Sequence, residues 1–160
     1  MTIYCVTGET VDIPADTLEG MNVDHQELHR ALLEQAVAPH SSLVQANLRG
    51  AFLSQAVFDY SNFYQANLIT ANLAQASLVA CMLRGCKAQY CNFSRANLQG
   101  AVLDGANLTG ANFAEARLQG ASLLGATLDE ASFQGAVYDA HTRWPRGFEP
   151  ATVGAHKALK

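Results

Sequence analysis

The chain has 160 residues and a mass of 17.1 kDa, the size of one domain. Apolar residues make up 49% and charged residues 15%, a balance that excludes intrinsic disorder. The net charge is −4, so no basic excess exists to neutralise a run of phosphates, and direct nucleic-acid binding is not expected.

Residues 1–15 read as an N-terminal cap. Residues 2–6 are β-prone, and the spacing predicts that they pair with residues 11–13 through a turn at Gly8 and Glu9. The first twenty residues lack the basic start and apolar core of a signal peptide. No stretch of the chain reaches the run of about 18 apolar residues that a membrane-spanning helix needs, so no membrane partner is expected.

Residues 16–40 divide into fives as DTLEG, MNVDH, QELHR, ALLEQ and AVAPH. Their third residues, Leu18, Val23, Leu28, Leu33 and Ala38, are all apolar. The competing reading is a helix over 25–37, capped by Asp24 with Glu27 as the partner of a capping box. Phase continuity with residues 41–140 favours degenerate repeats.

From Ser41 to Ala140 the register is unbroken. The segment divides into twenty fives, among them ANLRG, ANLIT, ANLAQ, ANLQG and ANLTG. The third residue of each is Leu, Phe or Tyr, with Ala88 the one exception, and the first is always Ala, Ser or Cys. A period of five fits neither a helix nor a strand. It requires a geometry that resets every five residues, with one large and one small side chain inward per unit. Each unit then forms one side of a coil, and coils stack as a solenoid with strand-like spacing of about 4.8 Å. The inward set includes Leu48, Leu53, Phe58, Phe63, Leu68, Leu73, Phe93, Leu98, Leu108, Phe113 and Phe133. Phe93, Phe113 and Phe133 recur every twenty residues, as do Asn72, Asn92 and Asn112, which predicts four units per coil and stacked Asn side chains.

Residues 141–160 read as a C-terminal cap. An open solenoid end exposes core side chains and unpaired backbone, and Trp144 and Phe148 are the expected lid, held by turns at Pro145 and Gly147. A short helix is expected near Pro150.

These units resemble the pentapeptide repeat family, whose consensus is A-(D/N)-L-x-x. The resemblance implies an all-β fold, a right-handed quadrilateral β-helix with Leu or Phe centres and small first residues inside. The flank YDAHTRWPRGFEP is similar to that of many bacterial members, notably cyanobacterial ones. Some members of the family protect or inhibit DNA gyrase by mimicking duplex DNA, and that is the alternative function the resemblance implies.

Little in the chain suggests catalysis. Cys81, Cys86 and Cys91 occupy the small first position of successive units, and their spacing is not that of a zinc site. As buried free thiols, together with Cys5, they suit a reducing cytoplasm. His25 and His29 are four apart but have no fixed third ligand, so no metal or cofactor is expected. No phosphate loop or nucleophile motif appears, and the outward carboxylates Asp59, Asp104, Glu115, Asp129, Glu130 and Asp139 lie on a convex rod without a cleft.

The expected function is therefore that of a non-enzymatic scaffold or adapter for a protein partner. Outward apolar residues mark candidate docking positions: Phe52, Val57, Ile69, Met82, Val102, Leu124 and Val137, with Tyr60, Tyr64 and Tyr90 foremost. Tyr60 and Tyr64 are expected near one corner and Tyr90 on a later coil. Charge is uneven along the chain: residues 1–40 carry −6, residues 41–140 carry −1 and residues 141–160 carry +3. An acidic head and a basic tail raise weak homodimerisation through the caps. The nearly neutral coil section, interrupted by Arg49, Arg84, Lys87, Arg95 and Arg117, argues against DNA mimicry.

Overall fold

A computed structural model describes residues 1–158. From residue 21 to residue 135 the backbone repeats one conformation every five residues, and residues 16–20 share only its turn. The second residue of a unit bridges to neighbouring coils, and the first and third point inward. The fourth and fifth form a turn, closed by a bond from the next unit's first N–H to the third residue's carbonyl, as in Ala46 N–H to Leu43 O at 3.1 Å. The fifth residue of every unit is left-handed: φ lies between 53° and 60° at fifteen non-glycine residues and between 63° and 72° at nine glycines. A positive φ at that place is the mark of a type II turn. Three extended residues and a two-residue corner therefore make the period of five.

Four units complete a coil. Parallel bridges join residues twenty apart along the whole rod, from Asn22 with Ser42 to Arg117 with Val137. The ladder between coils is regular: Leu48 N–H donates to Asn67 O at 2.8 Å and Asn67 N–H to Ala46 O at 2.9 Å. Side I comprises residues 21–25 and their equivalents every twenty residues. Side II begins with 26–30, side III with 31–35 and side IV with 36–40, and residues 16–20 lie on side IV one coil earlier.

The core is a column of third-position side chains walled by small first-position residues. Leu48, Leu53, Phe58, Phe63, Leu68, Leu73, Phe93, Leu98, Leu108, Phe113 and Phe133 are all fully buried. Each such burial contributes about 1.5–3 kcal/mol. On side III, Phe93, Phe113 and Phe133 stack face to face with centroids 4.9 Å apart, because strand spacing sets the distance between equivalent side chains.

No helix forms over 25–37. Glu27 bridges to Asn47, Leu32 to Phe52 and Val37 to Val57, so this stretch is a coil like the rest. Leu28 and Leu33 are buried in phase with the centres above them, and backbone pairing to a finished coil outweighs a lone capping box.

Both ends are covered. Strand β1 (Thr2–Tyr4) pairs antiparallel with β2 (Thr10–Asp12) and puts Ile3 and Ile13 against the core. This hairpin also pairs with side III, through Leu32 N–H to Tyr4 O at 2.8 Å and Val6 N–H to Arg30 O at 3.1 Å. At the other end, β3 (Val137–Tyr138) pairs in parallel with β4 (His156–Lys157), after a 3-10 turn at Pro150–Val153. Trp144 and Phe148 stack on each other at 5.1 Å and meet Phe133 edge-on at 5.4 and 5.5 Å. They close the aromatic column.

Candidate interaction surface

Much of the outward chemistry is used by the rod itself. Second-position Asn residues accept from the fourth-position N–H of their own unit, as Asn72 does from Ala74 at 3.2 Å. Their amides also donate along the stack: Asn92 to Asn72 at 3.1 Å, Asn112 to Asn92 at 3.4 Å and Asn67 to Asn47 at 3.1 Å. The twenty-residue Asn spacing thus forms the expected ladder.

Three fourth-position carboxylates are likewise structural. Asp24, Asp59 and Asp104 each accept from the hydroxyl of a Ser eighteen residues later (Ser42, Ser77, Ser122) and from the N–H two residues beyond it. The sequence alone shows Asp59 and Asp104 only as outward carboxylates. The missed signal was the recurring Asp-to-Ser spacing. Partial burial pushes the Asp104 carboxyl up, but the Ser122, Leu124 and Arg84 donors outweigh it and hold it below the usual carboxylate range. Arg84 pairs with Asp104 at 3.2 Å and Arg95 with Glu115 at 2.9 Å, in each case one coil apart.

Cys81, Cys86 and Cys91 are free, buried thiols of a single coil. Burial pushes Cys81 and Cys86 up to about 12 and raises Cys91 well above the ordinary thiol range, so all three stay protonated and unreactive. The same coil holds Ala88, the one small centre of residues 41–140. Ala there removes three carbons relative to Leu, and Cys in place of Ala adds one sulfur at each of three positions, so the thiols compensate packing volume. His25 and His29 fall at successive corners, and no group of three His, Cys, Asp or Glu suited to a metal occurs among the described residues.

Tyr60 and Tyr90 are each 60% exposed and Tyr64 is 38% exposed. They do not share a corner. Turns occupy fourth and fifth positions, so Tyr60 sits where side IV meets side I, Tyr64 where side I meets side II, and Tyr90 where side II meets side III. Tyr60 and Tyr64 therefore flank side I, whereas Tyr90 faces elsewhere. The Tyr60 ring stacks on His40 at 5.3 Å, one coil away. The Tyr90 ring lies over Gly110, where an added Cβ would meet ring carbons at 2.5 Å. Side I also carries the exposed Met82 and Leu124. Sides II and III carry the Asn ladders instead.

A rod of stacked five-residue units, with its outward polar groups tied along the coils, belongs to the class of repeat solenoids. The chain is a member of the pentapeptide repeat family. The family model described as a pentapeptide repeat region matches residues 58–133, and the model for pentapeptide repeats in eight copies matches 27–59 and 40–75. No curated protein matches the chain. Among solved structures it is similar to a trypsin-treated form of QnrB1, a plasmid-mediated fluoroquinolone resistance protein, with a TM-score of 0.63 and 15% identity over 92% of this chain and 88% of that one. It is also similar to HetL, a pentapeptide repeat protein involved in heterocyst differentiation regulation in the cyanobacterium Nostoc sp. strain PCC 7120. That match has 25% identity and a TM-score of 0.45, over 78% and 70% of the two chains. Rfr23 from the cyanobacterium Cyanothece 51142 matches at 26% identity and a TM-score of 0.41, over 89% and 77%. No helix among the described residues is long and apolar enough to cross a membrane.

Proposed function

We propose that this chain is a right-handed quadrilateral β-helix that acts without catalysis, as a rigid scaffold or adapter in the cytoplasm for a protein partner. The observation that carries the reading is side I. It presents Tyr64, Met82 and Leu124 to solvent with Tyr60 along its edge, while sides II and III offer Asn ladders. Aromatic and Met side chains that are neither core nor ladder are what a docking surface supplies. The repeats support the reading, since within residues 41–135 of this chain the inward positions stay Leu, Phe or small while the outward positions vary.

The alternative, mimicry of duplex DNA toward DNA gyrase, rests on the family resemblance. The fold shared with QnrB1 speaks to architecture. The charge pattern speaks against mimicry: the coil section is nearly neutral, and three of its six acids, Asp59, Asp104 and Glu115, are tied to Ser77, to Ser122 and Arg84, and to Arg95.

Affinity capture from the native host with the full chain as bait tests both readings. Capture of a partner that is lost with Tyr60→Ser/Tyr64→Ser and kept with Tyr90→Ser is the expected result. A partner indifferent to the side I double variant removes side I as the surface. Gyrase subunits in the capture, with inhibition or protection in a supercoiling assay, would replace the scaffold by the mimic.

A further inference from the structure

The backbone ladder does not stop evenly at the C-terminal end. On side I it continues one layer into the cap, where Arg143 bridges Ser122 and Leu123 N–H donates to Arg143 O at 2.7 Å. On side III, Gly135 N–H donates to Gly154 O at 2.9 Å, and on side IV, His156 N–H donates to Ala136 O at 2.7 Å. Among the described residues, side II alone has no such layer. Pro145 and Gly147 carry the chain across the end, where Trp144 and Phe148 seat on Phe133, and no described residue pairs with the top of side II. At that place is a hollow of about 280 Å³ between Ala126, Leu128 and Asp129 on one wall and Pro145, Arg146 and Phe148 on the other.

The groups facing that hollow are defined by the coil beneath. One layer down, Thr127 N–H donates to Ala106 O at 3.0 Å, Leu108 N–H to Thr127 O at 2.9 Å and Gly110 N–H to Asp129 O at 2.8 Å. The equivalent groups at the top, Ala126 O, Leu128 N–H and Glu130 N–H, have no partner among the described residues. Unpaired strand groups at an open edge are a template for one more strand. We propose that this notch is a β-augmentation site that accepts an extended basic peptide segment of a partner protein as the missing side II strand.

Charge decides the chemistry of the occupant. Asp129 and Glu130 are exposed and have no cationic partner among the described residues, Arg146 included. A strand added in the register of the coils places its fourth and fifth side chains over these two carboxylates. That vertical step is the one that joins Arg84 to Asp104 and Arg95 to Glu115 at 3.2 and 2.9 Å. The occupant therefore reads small, polar, apolar, basic, basic: its second N–H donates to Ala126 O, its second and fourth carbonyls accept from Leu128 and Glu130, and its third side chain covers Leu128. The inference is independent of side I.

Amide hydrogen exchange on the isotope-labelled full chain tests it. In the free chain, the Leu128 and Glu130 amides should exchange at least tenfold faster than Leu108 and Gly110. Acetyl-Ala-Asn-Leu-Arg-Lys-amide at millimolar concentration should slow both at least tenfold. The same peptide with Glu-Asp in place of Arg-Lys, or with the Asn nitrogen methylated, should not. Asp129→Lys/Glu130→Lys should reverse the preference between basic and acidic peptides. Protection of Leu128 and Glu130 without peptide, equal binding of the acidic or methylated peptide, or protection at Asn22 and Glu27 instead would overturn the proposal. The methylated-peptide arm needs no variant and stands even if the double substitution fails to fold.

Discussion

Ala80 sits at φ 53°, where its Cβ crowds the following carbonyl at a cost of about 1–2 kcal/mol. The cost recurs at each non-glycine corner, and the side chain placed there offsets it in different ways. Gln45 and Gln65 bond each other at 2.8 Å, Arg95 bonds Glu115, and Tyr90 covers Gly110. Ala80 has no such contribution to lose. Ala80→Gly should therefore stabilise the chain by about 0.5–1 kcal/mol, the strain relieved less the added freedom of the unfolded state. Urea unfolding at equilibrium measures this, and a loss of similar size would mean the corner is not left-handed. Nine of the twelve glycines stand at fifth positions, so the corner was written in the sequence. The signal is diluted because Gln, Tyr, His and Arg share the place. The packing rule is easier to read, since a buried centre tolerates little besides Leu or Phe, and within residues 41–140 only Ala88 departs from large centres.

Strands one bridge long are stable here only because each is paired above and below and covers a centre. Leu108 is fully buried, with its N–H on Thr127 O and the Asn107 carbonyl accepting from Ala88 N–H. Leu108→Asp would place a carboxylate among Leu and Phe side chains with no donor, at a cost above about 4 kcal/mol. Circular dichroism should show loss of the cooperative melt, whereas Asn107→Asp, one residue away and outward, should shift stability by less than about 1 kcal/mol. Both variants melting like the parent would reverse the inward and outward assignment. The closing element adds a pH dependence. Asp139 accepts from Gly120 N–H at 2.9 Å, from His141 and Thr142 N–H at 2.9 and 3.0 Å, and from the Thr142 hydroxyl at 3.1 Å. The Gly120 bond foremost, then the others, lower its carboxyl to about 2 against an ordinary 3.8. A depressed carboxylate stabilises the fold fully above its unfolded value, and that contribution is lost as pH falls from about 4 toward 2. The Tm should fall through that window, and Asp139→Ala should lower Tm at pH 7 and flatten the acid slope. An unchanged slope would assign the acid sensitivity to Asp104 or another carboxylate. The sequence showed Trp144 and Phe148 as a lid because large aromatics after the last repeat have no other core to join. It did not show the Asp139 turn, whose donors include Gly120, nineteen residues back.

As a whole the rod is nearly one-dimensional, since each coil touches only those above and below it. Two periods act at once, five residues for the corners and twenty for the columns, and they make different demands on an inserted segment. A second copy of residues 81–100 placed after residue 100 returns every downstream side to its own column. Asn112, Phe113 and the Glu115 corner again have Asn92, Phe93 and Arg95 equivalents one coil below, and both caps meet the sides they met before. Such a chain should fold, and its added coil should leave Tm equal or higher. A second copy of residues 96–100 alone preserves the period of five but advances everything downstream by one side. Phe113 then no longer lies over Phe93, nor Asn112 over Asn92, nor Glu115 over Arg95, although every corner keeps its allowed residue. The five-residue insertion should lower Tm by several degrees relative to the twenty-residue one, because column matching, unlike corner geometry, is lost across the junction. Equal thermal melts for the two chains would mean that the corners alone hold the rod and that the Asn, Phe and ion-pair columns contribute nothing measurable.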